Sequence, residues 1–219
     1  MMPLLKGAEQ ALSDWLARHA PRTAATVDPA ARAALRQQVI ADHPDRAHDV
    51  GFLRLELLRR AIAGAGEDPA LAEPAYQTFF EARQRVGLYD DVLPVLERWS
   101  KRLPLVAVTN GNADLSRIGL SHLFVGVISA HEIGCAKPDP RVFHAACSIA
   151  GSAPSDTLHI GDDPRLDFDG ARAAGLEAAW LLRPDVAPRH SPTACGAAPF
   201  ASLDELESEL RELAGERIF

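Results

Sequence analysis

At 219 residues, 47% of them hydrophobic and 24% charged, the chain has the size of one medium domain, or of a core domain carrying a modest inserted one. Its net charge of −7 weighs against nucleic acid or an anionic membrane as the main partner. It leaves room for a small phosphorylated ligand, because a local metal ion and a lysine can invert the sign inside one cleft. Cys135, Cys147 and Cys195 show no CxxC spacing and read as reduced thiols rather than a metal or redox set. No apolar run approaches the ~20 residues of a membrane span, and the start lacks a basic-then-apolar signal pattern. A cytoplasmic protein is expected.

In chain order, residues 7 to 87 read as helical throughout. Leu12, Trp15, Leu16 and His19 fall on one helical face, and Asp28 or Pro29 opens a helix over 30–40. Leu53, Leu57, Leu58 and Ile62 form a further stripe ended by Gly64-Ala65-Gly66, and Tyr76, Phe79, Phe80 and Arg83 lie on a fourth helix before Gly87. From Asp90 the texture alternates. A helix over 92–101, capped by Asp90 or Asp91, leads to a strand over 105–108; a helix over 113–120 leads to a strand over 124–129. A helix over 139–150 precedes a strand over 157–160, and a helix over 167–174 precedes a strand over 178–182. A surface loop follows over 183–199, then a helix over 203–213 that Ser202 and Glu205 begin as a capping box. Apolar strands alternating with helices predict an α/β fold with a doubly wound parallel sheet, whose ligand sites lie at the carboxyl ends of its strands.

Three motifs fall at such ends or on the loops that reach them. Thr109-Asn110-Gly111 closes the first strand, where the Thr109 hydroxyl and the amides of Asn110 and Gly111 suit a phosphoryl oxygen; a plain Asn-Gly turn is the alternative. Lys137, in Cys-Ala-Lys-Pro-Asp-Pro, suits charge neutralisation on a transferring phosphoryl group. Its alternative is a solvated lysine ahead of a helix capped by Asp139. Gly161-Asp162-Asp163, with Asp167 beyond, places adjacent acids at a strand end, an arrangement suited to Mg²⁺. The alternative there is helix capping by Asp163, with Asp167 facing water.

Taken together, the order of the motifs and their spacing of about 25 to 30 residues resemble the haloacid dehalogenase (HAD) superfamily over roughly residues 88–182. The resemblance implies a Rossmann-like core over 88–219 and a helical cap domain over 1–87. It implies that Thr109 binds the phosphoryl group, Lys137 stabilises the attacked centre and Asp162 ligates Mg²⁺, with Asp163 and Asp167 supporting the metal or the lysine. True dehalogenases of the superfamily resemble a Ser-Asn pattern at the acidic loop and work without Mg²⁺. Gly161-Asp162-Asp163 instead looks like the phosphatase branch, whose members hydrolyse small phosphorylated metabolites. In the cap, Tyr76, Phe80 and Arg83 could face such a substrate, although aromatics at helical spacing are more often core.

The family's first motif is an apolar strand ending Asp-x-Asp-x-Thr, which supplies the nucleophile and the general acid–base and lies at the centre of the sheet. No such run precedes the helical segment here. Asp167-Phe168-Asp169-Gly170 does not qualify, because it follows Pro164-Arg165 rather than an apolar strand. The expectation is therefore a phosphohydrolase lineage in which this chain lacks the nucleophile segment and is inactive. The alternative is a non-catalytic descendant that binds a phospholigand or a partner. The unfilled place in the sheet would then be closed by rearrangement, by another chain in a homodimer, or by sequence upstream of Met1.

Overall fold

Helical periodicity in the first third of the chain and four short β-branched or alanine-rich runs in the rest dictate different architectures for the two parts. The computed structural model describes residues 2–26, 29–187 and 198–214. Asp28, Cys195 and most of the expected 183–199 loop lie outside the described residues. The contacts divide the chain into two compact units, residues 1–87 with 110–118, and residues 88–109 with 119–219. No helix among the described residues is long and apolar enough to cross a membrane.

The first unit holds α1 (Met2–His19), α2 (Pro21–Thr26), α3 (Pro29–Asp42), α4 (Val50–Gly64), α5 (Ala72–Arg83) and the short α7 (Leu115–Ile118). Its core joins Ala8, Leu12 and Leu16 of α1 to Leu58 and Ile62 of α4 and Ala75 and Phe79 of α5, the stripes that the i, i+3, i+4 spacing predicts. Asp49 begins α4 by accepting the Phe52 N–H at 2.9 Å. The amino end of α2 is capped from a distance: Glu67 accepts the N–H groups of Arg22 (3.0 Å) and Thr23 (2.9 Å). Residues 110–118 belong here through α5, since Gln84 Oε1 accepts the Asp114 N–H at 2.9 Å and Asn112 donates to the Tyr76 hydroxyl at 3.3 Å.

The second unit holds β1 (Val106–Thr109), β2 (Gly126–Ser129), β3 (Leu158–Gly161) and β4 (Glu177–Trp180), with α6 (Val92–Ser100), α8 (Ala130–Ile133), α9 (Pro140–Ala150), α10 (Gly170–Ala173) and α11 (Leu203–Ala214). All strand pairing is parallel, with Val106 beside Gly126 and Leu158 beside Glu177. Side chains alternate between two helical layers, as a two-residue period requires. Leu158 and Ile160 of β3 and Ala179 of β4 face Val95 and Trp99 of α6 and Leu203 and Leu206 of α11. Val106 and Val108 of β1 and Ile128 of β2 face Val142 and Ala146 of α9.

The structure departs from the sequence expectations in specific places. The strands form two parallel pairs, β1–β2 and β3–β4, rather than one continuous sheet, and no described ladder joins β1 to β3. The helix expected over 167–174 is a π-helical turn, Pro164–Asp169, followed by α10. The one expected over 113–120 shrinks to the four residues of α7. Asp91 makes no side-chain cap to α6; its carboxylate instead accepts from Arg183 (2.7 Å) and from the Leu203 N–H (2.6 Å), which fixes the start of α11. Ser202 does accept the Glu205 N–H at 3.0 Å, but the Glu205 carboxylate reaches back one residue further than a capping box predicts, to the Ala201 N–H at 2.6 Å.

Candidate active site

β1 ends at Thr109 and β3 at Gly161, so the chain leaves both strands at carboxyl ends, the edge where parallel α/β sheets place their ligands. Lys137 comes to this edge from the loop between α8 and α9. Gly134, at φ +75°, stops α8. Asp139 starts α9 by accepting the Arg141 N–H at 3.0 Å, with Pro140 in the first helical turn. Between these fixed points the Lys137–Pro138 peptide is cis. The Lys137 ammonium donates to Asp167 Oδ1 at 2.5 Å and to the Val108 carbonyl of β1 at 3.3 Å. Its side chain is only 12% exposed, so this is a nearly buried ion pair rather than a solvated lysine.

Asp167 is the hub of the arrangement. Its Oδ1 also meets His159 Nε2 of β3 at 3.1 Å, and its Oδ2 accepts the Asp163 N–H at 3.0 Å. Burial alone would push the carboxyl up, but the His159 hydrogen bond and the Lys137 charge outweigh it and hold Asp167 well below the usual carboxylate range. The residue is buried, which excludes the reading of Asp167 as a carboxylate facing water. Gly161 makes room for it: a Cβ at that position would lie 2.2 Å from the Asp167 carboxyl carbon. Gly170 does the same for the lysine loop, where a Cβ would lie 2.8 Å from Cβ of Pro138.

The acidic loop divides its labour. Asp163 is buried and caps the π-helical turn, its Oδ1 accepting the N–H groups of Arg165 (3.0 Å) and Leu166 (2.9 Å). That geometry belongs to the capping alternative. The backbone carbonyl of Asp162 accepts the Trp180 indole N–H at 3.3 Å, anchoring the loop on β4. The Asp162 carboxylate is partly exposed and makes no hydrogen bond or ion pair among the described residues. No group of three potential metal-ligating side chains is present among the described residues. One available carboxylate at a strand end nevertheless fits the share that a protein supplies to Mg²⁺, which takes one or two carboxylates and completes its shell with water and substrate oxygens.

The structure thus brings together Lys137, Asp163, Asp167 and the strand ends carrying Thr109 and Asp162. Asn110 and Gly111 fall in the contacts of the first unit, with Tyr76, Phe80 and Arg83. Tyr76 is partly buried against that unit's core and lies 6.1 Å from the Phe80 ring. His159 is the site residue that sequence reasoning passed over. Its signal is a lone polar residue inside an otherwise apolar strand; the structure seats its ring edge-on to Phe143, 5.1 Å away, and aims Nε2 at Asp167.

Comparison with known proteins identifies the family. Residues 4–175 match the haloacid dehalogenase-like hydrolase family. A phosphoserine phosphatase of Thermus thermophilus is 38% identical over 62% of this chain and 58% of its own length. A 5-amino-6-(5-phospho-D-ribitylamino)uracil phosphatase of Escherichia coli is 34% identical over 69% and 65%. A glyceraldehyde 3-phosphate phosphatase of Methanopyrus kandleri is 32% identical over 73% and 72%. The chain therefore spans less than two thirds of the first two relatives. Among solved structures, a 2-haloacid dehalogenase from Pseudomonas syringae superposes with a TM-score of 0.85 at 32% identity, covering 96% of this chain and 92% of that one.

Proposed function

The chain belongs to the haloacid dehalogenase-like hydrolases, and on that premise we propose that it carries the phosphoryl-handling half of a Mg²⁺-dependent phosphatase for a small phosphorylated metabolite. The observation that carries the reading is the Lys137–Asp167 pair, held against the Val108 carbonyl beside the strand end at Thr109. A nearly buried ammonium fixed in direction by the Asp167 carboxylate presents positive charge where a phosphoryl group gains negative charge. Thr109, at the end of β1, would bind a phosphoryl oxygen through its hydroxyl. Asp162 would hold Mg²⁺, which neutralises phosphoryl charge when bound. Asp163 shapes the loop by capping, and His159 orients Asp167. The three curated relatives are named as phosphatases of three different phosphorylated small molecules, which supports the substrate class and leaves its member open.

Attack on phosphorus needs a carboxylate nucleophile, and the site's own acids are otherwise engaged. Asp167 pairs with lysine, Asp163 caps the turn, and Asp162 is the metal candidate. In this reading the attacking aspartate comes on a further strand, and the 219 residues alone bind phosphate without turnover. The separation of β1–β2 from β3–β4 supports the same view, since each pair is a short parallel ribbon of four-residue strands. A second reading, carbon–halogen hydrolysis, is favoured by the likeness to the Pseudomonas syringae dehalogenase. The available Asp162 carboxylate speaks for the phosphatase instead, because a halide-releasing site has no use for a metal ligand at that position.

Calorimetric titration of inorganic phosphate, with and without Mg²⁺, tests the proposal. The expected result is Mg²⁺-strengthened binding that Asp162→Ala makes metal-independent and Lys137→Ala weakens at least about tenfold, a loss of about 1.4 kcal/mol. Equal phosphate affinity in all three proteins would overturn it, as would release of chloride from 2-chloropropionate by the unaltered chain.

A further inference from the structure

Helices α6 and α11 lie side by side, tied by Asp91 to the Leu203 N–H and, further along both, by Arg98 to Glu207. Beyond that second contact a cavity of about 210 Å³ opens at the carboxyl end of α6. Trp99 and Leu103 give it apolar walls, and Arg98, Lys101, Arg102 and Arg211 bring four cations to it. All four cations are exposed, so a ligand from solution can reach it. The cavity is separate from the phosphoryl site. Leu103 precedes β1 at its amino end, whereas Thr109 and the Lys137 contact sit at the carboxyl end.

The cations outnumber the acids they meet. Glu207 is buried and already accepts from Arg98, Arg211 and the Trp99 indole. Asp204 accepts from Arg98 at 3.2 Å. Lys101 and Arg102 make no ion pair or side-chain hydrogen bond with any described residue. Four positive charges thus stand against two negative ones, the reverse of the balance in a chain of net charge −7. Cations at a helix carboxyl end answer its dipole, but one or two in the last turn meet that need, and it calls for no cavity. We propose that this cavity binds a small aromatic anion, its ring against Trp99 and Leu103 and its carboxylate or phosphate head held by Lys101 and Arg102. The size suits one or two rings, since a cavity of about 150 Å³ takes benzene. The walls suit an aromatic body, because indole and guanidinium both pack against rings. The guanidinium fork matches the paired oxygens of either head group. A cationic ligand would be repelled here, and a neutral one would leave the excess charge unanswered.

Nitrogen-15 NMR of the full chain, titrated with 2-naphthoate, tests the proposal. The Trp99 indole N–H lines the cavity and donates to Glu207, so it reports occupancy directly. The expected result is saturable binding with Kd below about 1 mM. The largest shifts should fall on that indole and on the amides of Lys101, Arg102 and Leu103, with Thr109 and Asp162 unmoved. Lys101→Glu combined with Arg102→Glu should weaken binding at least about tenfold, and neutral 2-naphthalenemethanol should bind at least about tenfold more weakly than 2-naphthoate. Both substituted positions are exposed, so circular dichroism and a cooperative melt check that the double variant is folded. A parallel titration with 2-naphthyl phosphate separates the head groups. Shifts at the same residues extend the ligand class to aryl phosphates, and shifts confined to Thr109, Lys137 and Asp162 restrict it to carboxylates. No saturable shift with 2-naphthoate, shifts of 2-naphthoate centred on Thr109 and Asp162, or equal affinity in the folded double variant would each overturn the proposal. Equal binding of the neutral analogue would overturn it too.

Discussion

At the scale of the residue, the site rests on a nearly buried lysine paired with a buried carboxylate. Removing one member of a nearly buried ion pair leaves the other uncompensated, at a cost of about 3–5 kcal/mol. Asp167→Asn should therefore lower the urea midpoint steeply. Lys137→Met combined with Asp167→Asn should be less destabilised than Asp167→Asn alone, because no orphaned charge remains; chemical denaturation of the three proteins checks both statements. Gly161→Ala puts a methyl 2.2 Å from the Asp167 carboxyl carbon and should cost about 1–3 kcal/mol for overpacking, with phosphate affinity falling as Asp167 is displaced. A Gly161→Ala protein of unaltered stability would show that Asp167 can move freely. Lys137, Asp162, Asp163 and Asp167 stand out in the sequence because they punctuate apolar runs. What each one touches does not. The π-helical turn curls Asp163 back onto Arg165 and Leu166 and swings Asp167 under Gly161, and no hydrophobic period announces a π turn.

At the scale of the element, α6 and α11 are tied chiefly through Glu207, with Asp204 also accepting from Arg98 at 3.2 Å. Glu207 is buried and accepts from Arg98 (2.5 Å), the Trp99 indole (3.0 Å) and Arg211 (3.3 Å). The Arg98 hydrogen bond leads in pulling its carboxyl down against the opposing effect of burial, with Arg211 adding to it. A folded-state pKa below the unfolded value of about 4.3 means that the group stabilises the fold above that pH. The contribution is lost as pH falls toward the folded value. Thermal melts should show the unaltered chain losing more stability than Glu207→Gln between about pH 5 and pH 3. Parallel losses in the two proteins would remove Glu207 from the account. The helices themselves are legible: the stripes through Leu12 and Leu16, and through Leu53, Leu58 and Ile62, predict buried faces that the structure contains. Their ends are less so. Asp91 looks like a cap for the helix it precedes, but Arg183 and Leu203, about a hundred residues away, take its carboxylate, and local sequence holds no trace of that contact.

At the scale of the whole molecule, alternation of apolar strands and helices suffices to predict a parallel α/β arrangement. The chain belongs to the family that its three motifs resemble. Alternation does not say which strands are neighbours. Four strands of four residues each could form one sheet, yet they form two pairs, because pairing depends on contacts between distant segments and the strands are too short to signal register on their own. Helices α6 and α11 pack over Leu158, Ile160 and Ala179 of the β3–β4 pair and over Leu105, the residue before β1, in a single apolar cluster.

The central claim is that the end of β1 at Thr109, the Lys137 loop and the loop after β3 are the phosphoryl-handling half of a phosphatase. Its most direct test is Mg²⁺-dependent hydrolysis of p-nitrophenyl phosphate by the chain alone and by the same chain carrying, at its amino end, an apolar strand that ends Asp-x-Asp-x-Thr. The account predicts no turnover by the chain alone. It predicts turnover by the extended protein that requires Mg²⁺ and falls by about 10²-fold or more in Lys137→Ala, the usual scale for losing one electrostatic stabiliser of a transition state. Robust hydrolysis by the unextended chain that survives both Lys137→Ala and Asp162→Ala would contradict it, as would an extended, folded protein without phosphatase activity.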